Sequence, residues 1–305
     1  MISFRYHLVS VIGIFLAIAL GVVVGTTALN GAVVGDLRRQ VTDLKRTNDD
    51  AAAQNRALQG QAGNADSLAE AFGPKIAARK LANLRVVLIG APGATAVMKD
   101  AVSAQIAAAG GKVVGRVQLT KDFTDAKRGS EIRSLATTGA HPIGLQLPNT
   151  DDAGRLAGSL LGYVLFSHGQ ATDLTQVLAG FSTLNMIKTE GSDIAPGKAV
   201  VLLAPGTLGK DDPAGKILLS AVTEFGGAGG PTVVAGDSAS ASDGGLIALI
   251  RATEVAKKAV STVDDVNSAL GQLSVVLATA DTVAGHKGHF GTTAGADALV
   301  PDAGH

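Results

Sequence analysis

Two histidines three residues apart, His286 and His289 in Gly285-His286-Lys287-Gly288-His289, are the best candidate metal ligands in this 305-residue chain. Imidazole suits Cu(II) and Zn, and two rings in one loop can chelate a single ion. Asp281, Asp297 and His305 are the other donors close by in sequence. Cu(I) asks instead for thiolate or thioether, and the chain has no cysteine and only Met1, Met98 and Met186. A histidine pair in a glycine-rich tail is also what a solvated surface looks like. The sequence therefore nominates His286 and His289 as ligands to mutate first without spelling out a stoichiometric copper site. His7, His141 and His168 stand alone.

Other chemistries are missing their residues. Without cysteine there is no disulfide, no thiolate nucleophile and no Cys-ligated metal. No serine sits in a G-x-S-x-G elbow, and no H-E-x-x-H occurs. The turn Gly90-Ala91-Pro92-Gly93-Ala94-Thr95 lacks both the G-x-G-x-x-G spacing and a Gly-Lys-Ser/Thr step, so it reads as a plain strand-to-helix connection. Ala204-Pro205-Gly206-Thr207 is a second turn of the same kind. No catalytic residue is nominated, and the chain reads as a non-enzyme. Net charge is zero and no basic block stands out, which gives nucleic acid no footprint.

The elements that would hold these residues are written more clearly. Val9 to Leu29 is 21 residues without a charge, enough helix to cover the ~30 Å hydrocarbon core of a bilayer. It exceeds the ~7–15 residues of an ordinary signal core, and no Ala-x-Ala site follows, so it reads as an uncleaved anchor rather than a cleaved signal peptide. Gly13, Ala17, Gly21 and Gly25 recur every fourth residue, a face on which two such helices could pack closely. Arg5 lies before the span and Arg38, Arg39, Lys45 and Arg46 lie after it, so flanking charge leaves the orientation open.

Leu37, Val41, Leu44, Asn48, Ala51, Asn55, Leu58 and Ala62 then alternate spacings of four and three, the repeat of a coiled-coil seam. Asn48 and Asn55 share one seam position, where asparagine costs stability but favours two chains in register. The competing reading is a solvated linker helix packed on its own domain. Gly60 and Gly63 predict a softening of the helix, and Phe72-Gly73-Pro74 opens a short helical approach to the next domain.

From Arg85 the pattern becomes strand, turn, helix, strand. Arg85–Gly90 and Lys112–Leu119 flank a helix over Thr95–Ala109, and Ala199–Ala204, a helix over Ala214–Phe225 and Pro231–Ala235 repeat the unit. Ala153–His168, Leu174–Lys188 and Leu246–Ala252 read as helices, and Leu273–Thr279 as the strand that closes the sheet. The expected head is α/β and Rossmann-like, with four to six parallel strands and helices on both faces. The organisation so predicted is an anchor over 1–30, a coiled-coil helix over 31–72, an α/β domain over 73–284 and a flexible tail over 285–305.

The opening Met1-Ile2-Ser3-Phe4-Arg5-Tyr6-His7, the span and heptad helix, Ser261-Thr262-Val263-Asp264-Asp265-Val266 and the Gly285–Gly291 stretch together resemble the actinobacterial MctB family across essentially the whole chain. That resemblance implies copper homeostasis across the cell envelope, with copper the only metal in question. It also implies likeness to SteB, a membrane-anchored partner of the division protein SteA, and hence a coiled-coil scaffold that couples division to wall hydrolysis through a SteA-like partner. The heptad seam, for its part, predicts a homodimer. It further implies an inner-membrane anchor with coil and head outside the cytoplasm.

Overall fold

Short runs of β-branched and leucine side chains form the centre of the sheet. Arg85–Gly90 (β1) and Ala199–Leu203 (β4) are buried at almost every position, as strands covered on both faces must be. The computed structural model describes residues 4–139, 141–166, 171–191, 194–209, 211–227 and 230–302, the side chains of 4–5, 26–34 and 171 excepted. It divides into two units, Met1–Asn64 and Ala65–His305.

The first unit is the greater part of a single helix, α1 (Phe4–Ala77). Within it Tyr6–Gly25 is long and apolar enough to cross a membrane, and none of it is buried against the chain. The helix runs on through Gly60, Gly63 and Gly73-Pro74, where the sequence reads as a softening and a fresh start. Glycine lowers helix propensity by only ~1 kcal/mol, which flanking good formers such as Ala, Leu and Gln absorb.

In the second unit one seven-stranded sheet has the order β3-β2-β1-β4-β5-β6-β7. Beyond β1 and β4 the strands are Lys112–Leu119 (β2), Ile187–Glu190 (β3), Thr232–Ala235 (β5), Ser261–Val263 (β6) and His289–Phe290 (β7). All pairings are parallel except β2 with β3. The helices are Ala96–Ala108 (α2), Gly129–Ser134 (α3), Ala153–Leu165 (α4), Ala171–Thr183 (α5), Pro213–Gly227 (α6), Leu246–Ala252 (α7), Glu254–Ala259 (α8) and Ala269–Val283 (α9).

Strand alternation sorts them into two layers. Val87, Ile89, Val200 and Leu202 face a core built with α4 to α8. Val86, Leu88, Val201 and Leu203 face a second core with α2, α9 and Ala77 at the end of α1. Because β1 feeds β2 on one side while β4 lies on its other side, the chain changes direction between β1 and β4, and the loops at their carboxyl ends diverge.

Three expectations need correcting. Leu273–Thr279 is not a strand but the middle of α9. An apolar run cannot by itself distinguish a buried strand from a buried helix. Here the decision lies at the ends: Ser268 Oγ caps the helix by accepting from Gly271 N–H at 2.8 Å, and the helix is wrapped by core along nearly its whole length. The sheet also has more strands than expected and an antiparallel edge, since the helix predicted over Leu174–Lys188 stops at Thr183. Asn185 then turns the chain with φ 54° into β3. Finally, the stretch read as a flexible tail is tied down at its start, where His289 and Phe290 pair with Thr262 and Val263.

Candidate functional site

The β6–β7 pairing joins the two segments that stood out in the sequence, and Arg251, at the end of α7, binds them. Its guanidinium donates through Nε to Thr262 Oγ1 (3.0 Å), through Nη1 to Asp264 Oδ2 (2.7 Å) and Thr293 Oγ1 (3.0 Å), and through Nη2 to the Phe290 carbonyl (3.0 Å). The Asp264 side chain is fully buried and that of Arg251 almost so. Asp264 accepts further bonds from Thr292 N–H (2.8 Å) and Thr293 Oγ1 (2.5 Å). A buried ion pair holds only when its remaining donors and acceptors are satisfied, and this one is.

His289 lies inside the same network at 2% exposure. Its Nε2 is 3.2 Å from the Lys257 carbonyl and its Nδ1 is 2.9 Å from Thr262 Oγ1. A carbonyl can only accept, so Nε2 carries the proton. Nδ1 then accepts from the Thr262 hydroxyl, whose oxygen in turn accepts from Arg251. Burial, chiefly, holds this imidazole below the usual histidine range; the Arg251 charge adds to the effect and the carboxylate of Asp297 opposes it.

The nominated ligands are thus in unlike surroundings. His286 is exposed, with its backbone N–H donating to the Asp281 carbonyl at 2.9 Å, whereas both ring nitrogens of His289 are engaged inside the fold. Among the described residues no three His, Cys, Asp or Glu side chains gather so as to hold a metal ion. Met98 and Met186 are buried in the two separate cores. His7 and His141 are exposed, while Met1, His168 and His305 lie outside the described residues. Sequence reading missed the roles of Arg251, Thr262 and Asp264. The available signal was an arginine in the otherwise apolar Leu246–Ala252 and an acidic pair directly after a short β-branched stretch.

Helix α1 presents the remaining nominated residues. Leu37, Val41, Leu44 and Leu58 are 58%, 59%, 72% and 64% exposed, and Asn48, Ala51 and Asn55 on the same row are exposed as well. Asn55 Oδ1 accepts a local bond from Gln59 Nε2 at 3.3 Å. In the apolar span Ala17 is exposed, and among the described residues nothing beyond the helix's own backbone lies within 4 Å of where a side chain would extend from Gly13, Gly21 or Gly25.

Against known proteins, a family model described as "Copper transport outer membrane protein, MctB" matches residues 1–301. The Copper transporter MctB of Mycobacterium tuberculosis is 34% identical over 310 residues, covering 97% of this chain and 98% of that protein. Its namesake from Mycobacterium leprae is 30% identical over 318 residues, covering 98% of this chain and 99% of that protein.

Proposed function

The chain belongs to the MctB family, and on that premise we propose that it serves copper transport at the cell envelope as a membrane-anchored, non-catalytic protein that works by assembly. In this reading α1 anchors the chain through Tyr6–Gly25, pairs with a second copy through the Leu37–Leu58 row, and carries the head outside the cytoplasm. The observation that supports it is the apolar row itself, more than half exposed at each of its large side chains. Leucine at the seam positions of Leu37, Leu44 and Leu58, with Val41, Asn48 and Asn55 at the alternate ones, is the pattern of a parallel two-stranded coil. Two anchors in one membrane would impose the same parallel sense. Rossmann-like describes the head in the same spirit, from its strand order and its two helical layers.

Copper, in this reading, is handled through partners or further copies and not by a ligand set in the head. One spanning helix cannot enclose an aqueous path, and an open sheet covered by helices is a different object from a membrane barrel of strands. The scaffold role implied by the SteB likeness would use the same anchor and seam with a SteA-like partner, but the family and its mycobacterial members are named for copper transport.

The test is calorimetry with Cu(I) and Cu(II), separately, on the detergent-solubilised full chain and on variants His286→Ala and His286→Ala with His289→Asn. The expected result is no tight stoichiometric binding that depends on either histidine. Tight binding lost in the variants would put copper handling in the head and overturn the proposal.

A further inference from the structure

The two Ala-Pro-Gly turns that the sequence sets more than a hundred residues apart stand side by side, because β1 and β4 are neighbours. A side chain extended from Gly93, whose φ of +98° suits glycine, would come within 3.8 Å of the Pro205 ring. They flank the carboxyl-end opening between β1 and β4, the place where open α/β sheets bind ligands because the loops there diverge. A cavity of about 610 Å³ lies beside that opening, walled by Pro92 and Gly93 after β1, by Lys121 and Thr124–Lys127 after β2, and by Leu208 and Pro213 before and at the start of α6. This is within the ~300–1,000 Å³ of small-molecule sites.

The charges on its rim are unequal in freedom. Asp125 Oδ1 is turned back to accept from Lys127 N–H at 2.9 Å, and Asp212 Oδ1 accepts from Ala214 N–H at 2.9 Å. Arg128, next along the chain, is held by Asp122 and Glu131. Lys121 and Lys127 are exposed and enter no ion pair with any described residue. Two flexible ammonium groups therefore stand at the mouth of a cavity whose other lining is apolar but for Thr124, Asp125 and Asp212, and each of these carboxylates has one oxygen engaged by its own turn.

We infer that this crevice binds a small organic anion, its carboxylate or phosphate held by Lys121 and Lys127 and its apolar body laid against Pro92, Leu208 and Pro213. The inference does not depend on how copper is handled. An ammonium pair in water gives modest, salt-sensitive attraction, so the apolar body must contribute to the affinity. The probes are inorganic phosphate and phenyl phosphate, titrated into the full chain in detergent at low and high salt.

Phenyl phosphate should bind more tightly than inorganic phosphate. Lys121→Ala with Lys127→Ala should weaken it roughly tenfold or more, Asp212→Asn, which keeps the cap on α6, should tighten it, and Lys257→Ala with Lys258→Ala, elsewhere on the surface, should leave it unchanged. Failure of phenyl phosphate to bind, or binding that persists in the Lys121/Lys127 variant or falls equally in the Lys257/Lys258 variant, would overturn the inference. A thermal melt of each variant without ligand separates loss of binding from loss of folding.

Discussion

The network at Arg251 is where single atoms decide most. Its guanidinium cancels the charge of Asp264 and orders Thr262, which in turn fixes the proton of His289. Arg251→Met keeps most of the side-chain volume but leaves Asp264 buried without its counter-charge, and breaking such a pair from one side costs about 3–5 kcal/mol. Denaturant unfolding should show that loss. His289 gives the network a pH dependence. Its native pKa lies below the ordinary histidine value, so the unfolded chain binds the extra proton more readily. The stability it contributes is complete above ~6.5 and falls as pH drops from there through the depressed native value. The melting temperature should therefore decline on acidification from pH 7, and His289→Asn should flatten that decline. None of this network could be read from spacing, because its members come from α7, β6 and the segment after α9.

At the level of elements, the strands β1, β2, β4 and β5 and the helices α2, α4, α6 and α7 were legible, since each is an unbroken apolar run or an amphipathic stretch bounded by turn residues. Three others misled for definite reasons. The middle of α9 is rich in valine and leucine because it is almost wholly buried, and burial on all sides erases helical periodicity. β6 is polar because Ser261 and Thr262 spend their hydroxyls on Thr282 and His289. β3 is short and half exposed, as sheet edges are. The site fared worse than the fold: a pair of histidines close in sequence does not reveal that one ring faces inward.

Helices α4 and α6 pack at close range. Gly158 lies so close to α6 that a methyl group there would approach the Ala221 carbonyl oxygen to 2.5 Å. Gly158→Ala gains helix propensity in isolation, yet forcing the helices apart should cost about 1–3 kcal/mol. A lowered midpoint of unfolding, with unchanged helix content by circular dichroism, is the expected result.

The whole molecule is defined by how many copies assemble and by what holds them to the membrane. If the Leu37–Leu58 row is a seam between copies, the detergent-solubilised full chain should sediment as a dimer, and Asn48→Leu with Asn55→Leu should tighten the association while broadening the choice of oligomer. A monomer in both would remove the assembly reading. The same preparations should retain the span, so the mature protein should begin ahead of Tyr6 by mass spectrometry.

The edge of the sheet carries one more consequence, in time. Asp264 is complete only when Arg251 and residues 290–293 have joined it, and β7 can pair with β6 only after α9 has crossed back over the sheet. A chain emerging from its amino terminus therefore has Arg251 to offer Asp264 at once, but lacks the Thr292 N–H and Thr293 hydroxyl that complete its bonding until synthesis has passed residue 293. The head therefore reaches its final packing late in synthesis, and the last strand to arrive is the one that seals its charged edge.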